Sequence, residues 1–205
     1  PRDDVLRMLA VNVRHSENFK GDLNAQIGSV MIAARRLNKL LSDYGAVGLM
    51  GCVVDILNGT EKRVRNLIRS WPDGVYQGET FIDDDGFDSV TIPIRAEVTI
   101  QDDTMTVDLS QSNQQVTGFI NSAYANTRSL AHVGIMYMAP SDIPKNEGSM
   151  RPITVVAPKG LIVNPNPPAP VCMSTNHCGE EIVEAIFKAL APIVPNAVNA
   201  GFSRR

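Results

Sequence analysis

The sequence predicts an α+β fold: an antiparallel helical hairpin followed by antiparallel strands and a mixed C-terminal part. Three observations carry that expectation. Apolar residues recur in alternating steps of four and three from Leu23 to Tyr44, the mark of a helix with one apolar face. After Gly74 the period falls to two. Beyond the strand-like runs, a proline-rich stretch leads into one more helical pattern.

The first twenty residues hold a short apolar run, Val5, Leu6, Met8, Leu9 and Ala10. Asp22 is a natural N-cap. From it Leu23, Ile27, Val30, Ala34, Leu37, Leu41 and Tyr44 form one stripe, which predicts a helix over 22–44 with Gly45 as its closing C′ glycine. Leu49, Val53, Ile56, Thr60, Val64, Leu67 and Trp71 continue the pattern and predict a second helix over 46–70, weakened at Asn58-Gly59. Two helices meeting at Gly45 suggest an antiparallel hairpin. Its covered face would include Leu37, so Leu37→Asp is expected to cost several kcal/mol by burying an unpaired charge.

Trp71-Pro72-Asp73-Gly74 closes the helical part with a turn. The runs 75–82, 89–101 and 104–109 are rich in Val, Ile and Thr and read as strands. Asp102-Asp103 supplies a two-residue hairpin, and Pro93 sets its strand to start or bend near an edge. Residues 110–121 are polar and irregular, and 127–139 read as a helix stopped before Pro140. Eight of the thirteen prolines then fall between Pro140 and Pro170, giving a stiff loop with few conformations to lose. Within it 153–157 and 161–163 read as short strands around the turn Pro158-Lys159-Gly160. After Asn176 comes a last helix with Ile182, Val183, Ile186, Phe187 and Leu190 on its apolar face, ended by Pro192. Residues 1–74 are thus expected to form the helical hairpin region, and 75–205 a mixed strand and helix region of the same domain.

Hydrophobic content of 43% and charged content of 20% describe an ordinary globular chain. A net charge of −3 without a basic run argues against nucleic acid, which needs clustered Lys and Arg. No eighteen consecutive apolar residues occur, so no membrane association is expected. Three cysteines, an odd count, favour a reducing, cytoplasmic setting. The chain lacks an initiator Met and ends on Ser203-Arg204-Arg205 without a closing element, so a piece of a longer protein is expected.

No phosphate-cradling glycine loop and no Gly-x-Ser-x-Gly elbow are present. Asp83-Asp84-Asp85-Gly86 lacks carboxylates at Phe81 and Ile92, so it reads as a solvated turn rather than a calcium loop. His132 falls in a helical pattern above Met136 and reads as a packed histidine. Cys172, His177 and Cys178 fall short of the four ligands of a structural zinc site, and no metal site is assigned to them. Cys178 stands at a helix start, where the macrodipole favours thiolate; it is either a nucleophile or, more simply, a small buried hydrophobe. Asn121, Asn146, Asn164 and Asn176 lie in irregular segments rich in Gly or Pro, where amides can orient a polar substrate or cap the backbone. Asn146, Asn164, Asn176 and His177 are the candidate substrate-binding residues. No residue is nominated as catalytic.

Ordered blocks along the chain resemble the hydantoinase B/oxoprolinase family. They include Asn12-Val13-Arg14, Gly21-Asp22-Leu23, Trp71-Pro72-Asp73-Gly74, Asp84-Asp85-Gly86 and Gly118-Phe119-Ile120-Asn121. Further blocks are Asp142-Ile143-Pro144-Lys145-Asn146-Glu147-Gly148, Arg151-Pro152-Ile153, Ala157-Pro158-Lys159-Gly160 and Val163-Asn164-Pro165. Gln111-Ser112 departs from the family's usual Gly followed by Thr or Ser, and Ser174-Thr175-Asn176-His177-Cys178 from its Thr-x-Gln-Arg-like run. The second departure points to a different substrate.

The resemblance implies the B-type subunit of an ATP-dependent hydantoinase, 5-oxoprolinase or lactamase, of which this chain is an internal portion. It implies ATP on a partner A-type subunit, a small cyclic amide as substrate and a hetero-oligomer. A divalent metal is expected in a region upstream of Pro1. Two alternatives stay open: the alpha subunit of an acetone-carboxylase-type ATP-dependent ligase, and a non-catalytic scaffold segment of a multisubunit complex.

Overall fold

The computed structural model describes residues 2–199 and 201; the closing Ser203-Arg204-Arg205 lies outside the described residues. The chain divides into two compact units, Pro1–Asp55 and Ile56–Arg205.

The first unit holds α1 (Asp3–Ala10) and most of α2 (Ser16–Arg69). Asp3 and Asp4 sit in the first turn of α1 and Arg7 in its last, matching the helix dipole. α2 starts six residues before the expected cap, because the Phe19 N–H already bonds the His15 carbonyl at 3.0 Å. Gly45, at φ 70° and ψ 162°, is the one non-helical residue inside it, so the helices expected over 22–44 and 46–70 meet at a one-residue joint. The stripe between Leu23 and Tyr44 is not covered: Val30 is 69% exposed, Leu37 50% and Tyr44 66%. Leu37→Asp therefore places its charge in water, and its cost falls to within about 0.5 kcal/mol. Periodicity identifies the apolar face of a helix; it does not say what covers it.

α2 also qualifies the expectation of no membrane. It holds an 18-residue window of mean hydropathy 1.6, long and apolar enough to cross a bilayer by length and composition alone. Asp and Gly residues interrupt the apolar run, which is why a search for consecutive apolar residues passes over it. Asp43 and Asp55 lie in this part of the helix, and it breaks at Gly45, features that disfavour a span.

The second unit is built on a four-stranded sheet in the order β1-β2-β3-β4, comprising β1 (Gly74–Ile82), β2 (Ile92–Gln101), β3 (Thr104–Asp108) and β4 (Ile153–Val156). The first three strands form an antiparallel meander, and β4 joins β3 in parallel. Asp102-Asp103 makes the two-residue turn between β2 and β3, with Asp102 at φ 52°. β2 begins at Ile92, three residues later than expected, beside Pro93. The stretch Ile92–Ala96 of β2 lies beyond the end of β3. There the Ser112 hydroxyl takes the place of a neighbouring strand, accepting from the Arg95 N–H and donating to its carbonyl, both at 3.1 Å.

One sheet face is buried and the other polar. Ile92, Ile94, Ala96, Val98 and Ile100 of β2 all point into the core. On the opposite face Gln77 donates to Glu97 at 2.9 Å and Arg95 pairs with Glu79. α3 (Tyr124–Tyr137) and α5 (Gly179–Leu190) complete the core, with Tyr137 edge-on to Phe187 at 6.0 Å. α5 crosses β1 at Gly78 so closely that a Cβ there would lie 2.0 Å from the Ala185 carbonyl oxygen. Thr60, Val64 and Ile68, one face of the last turns of α2, are buried as well.

Two short segments differ from expectation. The run 161–163 is buried but is not a strand; Leu161 makes only isolated bridges to Gln114 and Asn164. The Asn164 N–H returns to the Leu161 carbonyl and the Gly160 N–H to the Asn164 carbonyl, both at 2.9 Å, which curls the run into a loop. One turn of helix, α4 (Glu147–Met150), appears where only loop was expected.

A cleft bounded by three loops

Within the second unit a cleft of about 430 Å³ opens between the Asp83–Gly86 turn, Phe119-Ile120, Met173, His177 and Glu181. Its walls come from distant parts of the chain: the end of β1, the irregular segment before α3, and the turns leading into α5. Phe81 and Phe119 contribute half-exposed rings.

Asp85 organises the first wall. Although its neighbours are exposed, Asp85 is buried, which corrects the expectation of a solvated turn. Its Oδ1 accepts from the Asp88 N–H at 2.8 Å and the Phe87 N–H at 3.0 Å. Its Oδ2 accepts from the Gly118 N–H at 3.0 Å. These donors, that of Asp88 foremost, hold the carboxyl below the usual carboxylate range. The approach needs a glycine, since a Cβ on Gly118 would fall 2.0 Å from the Asp85 carbonyl oxygen.

Asn121 ties the second wall to the third. Fully buried, its Nδ2 donates to the carbonyls of Val116 at 2.9 Å, Gly118 at 3.0 Å and Pro170 at 3.0 Å. Its Oδ1 accepts from the Val116 N–H at 2.9 Å. The Met173 N–H then bonds the Phe119 carbonyl at 3.1 Å. Buried amides need such partners, and here they fix the mouth of the cleft.

The floor is the first turn of α5. Glu181 is 1% exposed, near the positive end of the helix where a carboxylate is favoured. Thr80 in β1 donates to its backbone carbonyl at 3.1 Å. Gly179 admits the incoming chain, because a Cβ there would meet Leu130 Cδ1 at 2.4 Å and the Ser174 carbonyl oxygen at 2.6 Å.

The structure separates the candidates read from sequence. His177 lines the cleft, half-buried. Asn176 precedes it on the exposed rim, two residues before the N-cap position held by Cys178. Asn146 is the N-cap of α4: its Oδ1 accepts from the Gly148 N–H at 2.9 Å, and its Nδ2 donates to Thr60 Oγ1 at 3.1 Å. Asn164 donates to the Ala157 carbonyl at 2.7 Å. Neither Asn146 nor Asn164 lines the cleft.

Cys178 is fully buried. Burial pushes its thiol well above the ordinary range, with the Glu181 charge adding to the rise, so the thiolate nucleophile reading fails and the small buried hydrophobe stands. Cys172, by contrast, is exposed. Among the described residues no three His, Cys, Asp or Glu side chains group as metal ligands. The divalent metal implied by the family resemblance finds no ligand set among these residues. His132 is packed as expected, its Nδ1 2.8 Å from the Arg128 carbonyl oxygen; its Nε2 is buried and has no hydrogen-bond partner among the described residues.

The sequence model of the hydantoinase B/oxoprolinase family matches residues 1–205, the whole chain. The chain belongs to that family. Among its hydantoinase B/oxoprolinase relatives is the beta chain of the caprolactamase of Pseudomonas jessenii, 34% identical over 202 residues, which cover 98% of this chain and 35% of that protein. Another is the B-type subunit of a putative D-/L-hydantoinase of Pseudomonas sp. (strain NS671), 34% identical over 208 residues, covering 95% and 34%. The crystal structure of the ATP-dependent caprolactamase from Pseudomonas jessenii superimposes with a TM-score of 0.87 at 33% identity, over 97% of this chain and 34% of that one. Nucleotide-free acetone carboxylase gives a TM-score of 0.83 at 18% identity over 98% of this chain and 29% of that one, a likeness of fold alone. The chain spans about a third of the length of these two curated relatives.

Proposed function

We propose that this chain forms part of the B-type subunit of an ATP-dependent cyclic-amide hydrolase. An A-type partner subunit would bind ATP, and the complex would work in the cytoplasm. The observation that carries the reading is the family match along the whole chain, together with relatives named as subunits of a caprolactamase and a hydantoinase. The chemistry divides naturally. An amide oxygen is a poor leaving group; phosphorylating it with ATP on one subunit makes the ring carbon attackable by water on the other.

In this reading the cleft supplies part of the substrate pocket. Phe81 and Phe119 offer apolar surface to the methylene part of a cyclic amide, and His177 offers an imidazole to its polar edge, with Asn176 beside it at the rim. Asn146 and Asn164 stand outside this cleft, where they hold backbone: Asn146 caps α4 and Asn164 bonds the Ala157 carbonyl.

The test is made in the assembled enzyme, with folded fraction and turnover measured separately. If His177 bonds the reacting group in the transition state, His177→Ala costs about 3 kcal/mol in barrier, roughly a hundredfold in turnover. Unchanged turnover per folded molecule would remove His177 from the pocket. A product that incorporates bicarbonate rather than water would replace the hydrolase reading with the acetone-carboxylase-type ligase. Assembly without turnover of any cyclic amide would leave the scaffold reading.

A further inference from the structure

We propose that Asn126, in the first turn of α3, is a positioning residue for His177. The catalytic part of this inference rests on the reading of the cleft as part of a substrate pocket. The geometric part stands without it.

His177 ends a single turn of chain. The Met173 carbonyl accepts from the N–H groups of Asn176 and His177, at 3.0 and 2.9 Å. Had that turn continued as a helix, the Cys178 N–H would take the next carbonyl, that of Ser174. Cys178 instead stands at φ 62° and ψ −44°, which carries the chain off the helical path at the start of α5. Among the described residues no backbone N–H bonds the Ser174 carbonyl. Asn126 takes that place. Its Nδ2 donates to the Ser174 carbonyl at 2.8 Å and to Ser122 Oγ at 2.9 Å.

The fit around this carbonyl is close. A Cβ on Gly179 would stand 2.6 Å from the Ser174 oxygen, so the turn already lies tight against α5, and the bond from Asn126 holds it there. Asn126 itself is carried on fixed backbone. Its neighbour Thr127 is buried, and the Thr127 hydroxyl donates to the Val163 carbonyl at 2.6 Å. The turn that carries His177 is thus fastened at Met173 by the Phe119 carbonyl, 3.1 Å away, and at Ser174 by Asn126. Without Asn126 the Ser174 carbonyl turns to water and the His177 end of the turn loosens. A displacement of about 1 Å in a group that meets the substrate can cost up to about a hundredfold in rate.

Asn126→Asp separates this role from a contribution to folding. The carboxylate cannot donate to the Ser174 carbonyl and repels it. It can accept from the Ser122 hydroxyl, and it supplies the acidic residue that the first turn of α3 lacks and that the helix dipole favours. The folded fraction should therefore match wild type. In the assembled enzyme, diethyl pyrocarbonate modifies accessible imidazoles, and peptide mass mapping reads His177 against exposed His15. Modification of His177 should run severalfold faster in Asn126→Asp than in wild type, with His15 unchanged. Turnover per folded molecule should fall about tenfold or more with KM little changed, and by no more than in His177→Ala. Added to His177→Ala, the Asp should lower turnover no further. Asn126→Ala, which removes the donor without adding charge, should move both readouts the same way. An unchanged modification rate at His177 in both variants would overturn the positioning role, whatever the turnover. Losses that multiply in the double variant would overturn it too, because Asn126 would then act elsewhere. Unchanged turnover in Asn126→Asp, with turnover lost in His177→Ala, would overturn the catalytic part. Faster modification with turnover intact in His177→Ala would instead uphold the positioning and remove His177 from the pocket.

Discussion

Replacing Gly78 by alanine adds one methyl group at the place where α5 lies closest to the sheet. The new Cβ would stand 2.0 Å from the Ala185 carbonyl oxygen and 2.6 Å from the Ala189 nitrogen. Both are backbone atoms of a helix, so no side chain can swing aside. Ordinary contact begins near 3.5 Å, which requires β1 and α5 to part by about 1.5 Å. α5 holds five large buried apolar side chains, Ile182, Val183, Ile186, Phe187 and Leu190. Each contributes about 1.5 to 3 kcal/mol by burial, and a gap of this size forfeits at least a quarter of such contacts, so the loss is about 2 to 4 kcal/mol. Gly134→Ala is the control. Its Cβ would meet Ile186 at an ordinary 3.5 Å in the middle of α3, where alanine gains up to about 1 kcal/mol over glycine. Urea unfolding of both variants reads the difference. If Gly78→Ala and Gly134→Ala unfold at the same midpoint as wild type with the same slope, α5 does not press on β1 as described.

Asn146→Ala removes a helix cap and should lower stability by about 1 kcal/mol; Asn164→Ala, which frees the Ala157 carbonyl, should cost about 1 to 3 kcal/mol. Turnover per folded enzyme should be unchanged in both, and a large loss of turnover at full folded fraction would place either amide in direct contact with substrate. His132 should make stability depend on pH, because burial lowers its pKa below 6.5. The unfolded chain takes up the proton first, so stability is complete above pH 6.5 and declines as pH falls from there toward the folded value. Urea midpoints taken from neutral to mildly acid pH should show this slope in wild type and a shallower one in His132→Gln; equal slopes would refute it.

What could be read from the sequence was what local pattern encodes. The alternation from Gly74 onward marks the three meander strands, and Asp102-Asp103 marks the turn that sets the register of β2 on β3. The apolar face of α5 is the face that meets the core. The run 161–163 was ambiguous for a physical reason: a buried loop and a buried strand are equally apolar, and only the return bond from Asn164 separates them. The cleft was less legible. Asp85 looks like any turn aspartate until Gly118, thirty-three positions later, delivers its N–H. Asn121 gains its role from Pro170, forty-nine positions on. Glycine after Asp85, at φ 83°, was the one local hint of a shaped turn. His177 could be singled out by its place before a helix, but nothing local shows that it would face Phe119 and Glu181.

The parallel ladder between β3 and β4 has a consequence for how this protein is made. Met105 pairs with Ile153 and Asp108 with Val156, so each partner leaves the ribosome forty-eight residues after the strand it completes. At synthesis rates of about 5 to 20 residues per second, β3 waits roughly 2 to 10 seconds as an open edge. Its row of N–H and C=O groups is then available to any other extended chain. α5, which covers the apolar face of the same sheet, follows later still. The nascent meander is therefore the aggregation-prone stage, and a chaperone that shields strand edges would raise the yield of folded protein more than one that binds helices.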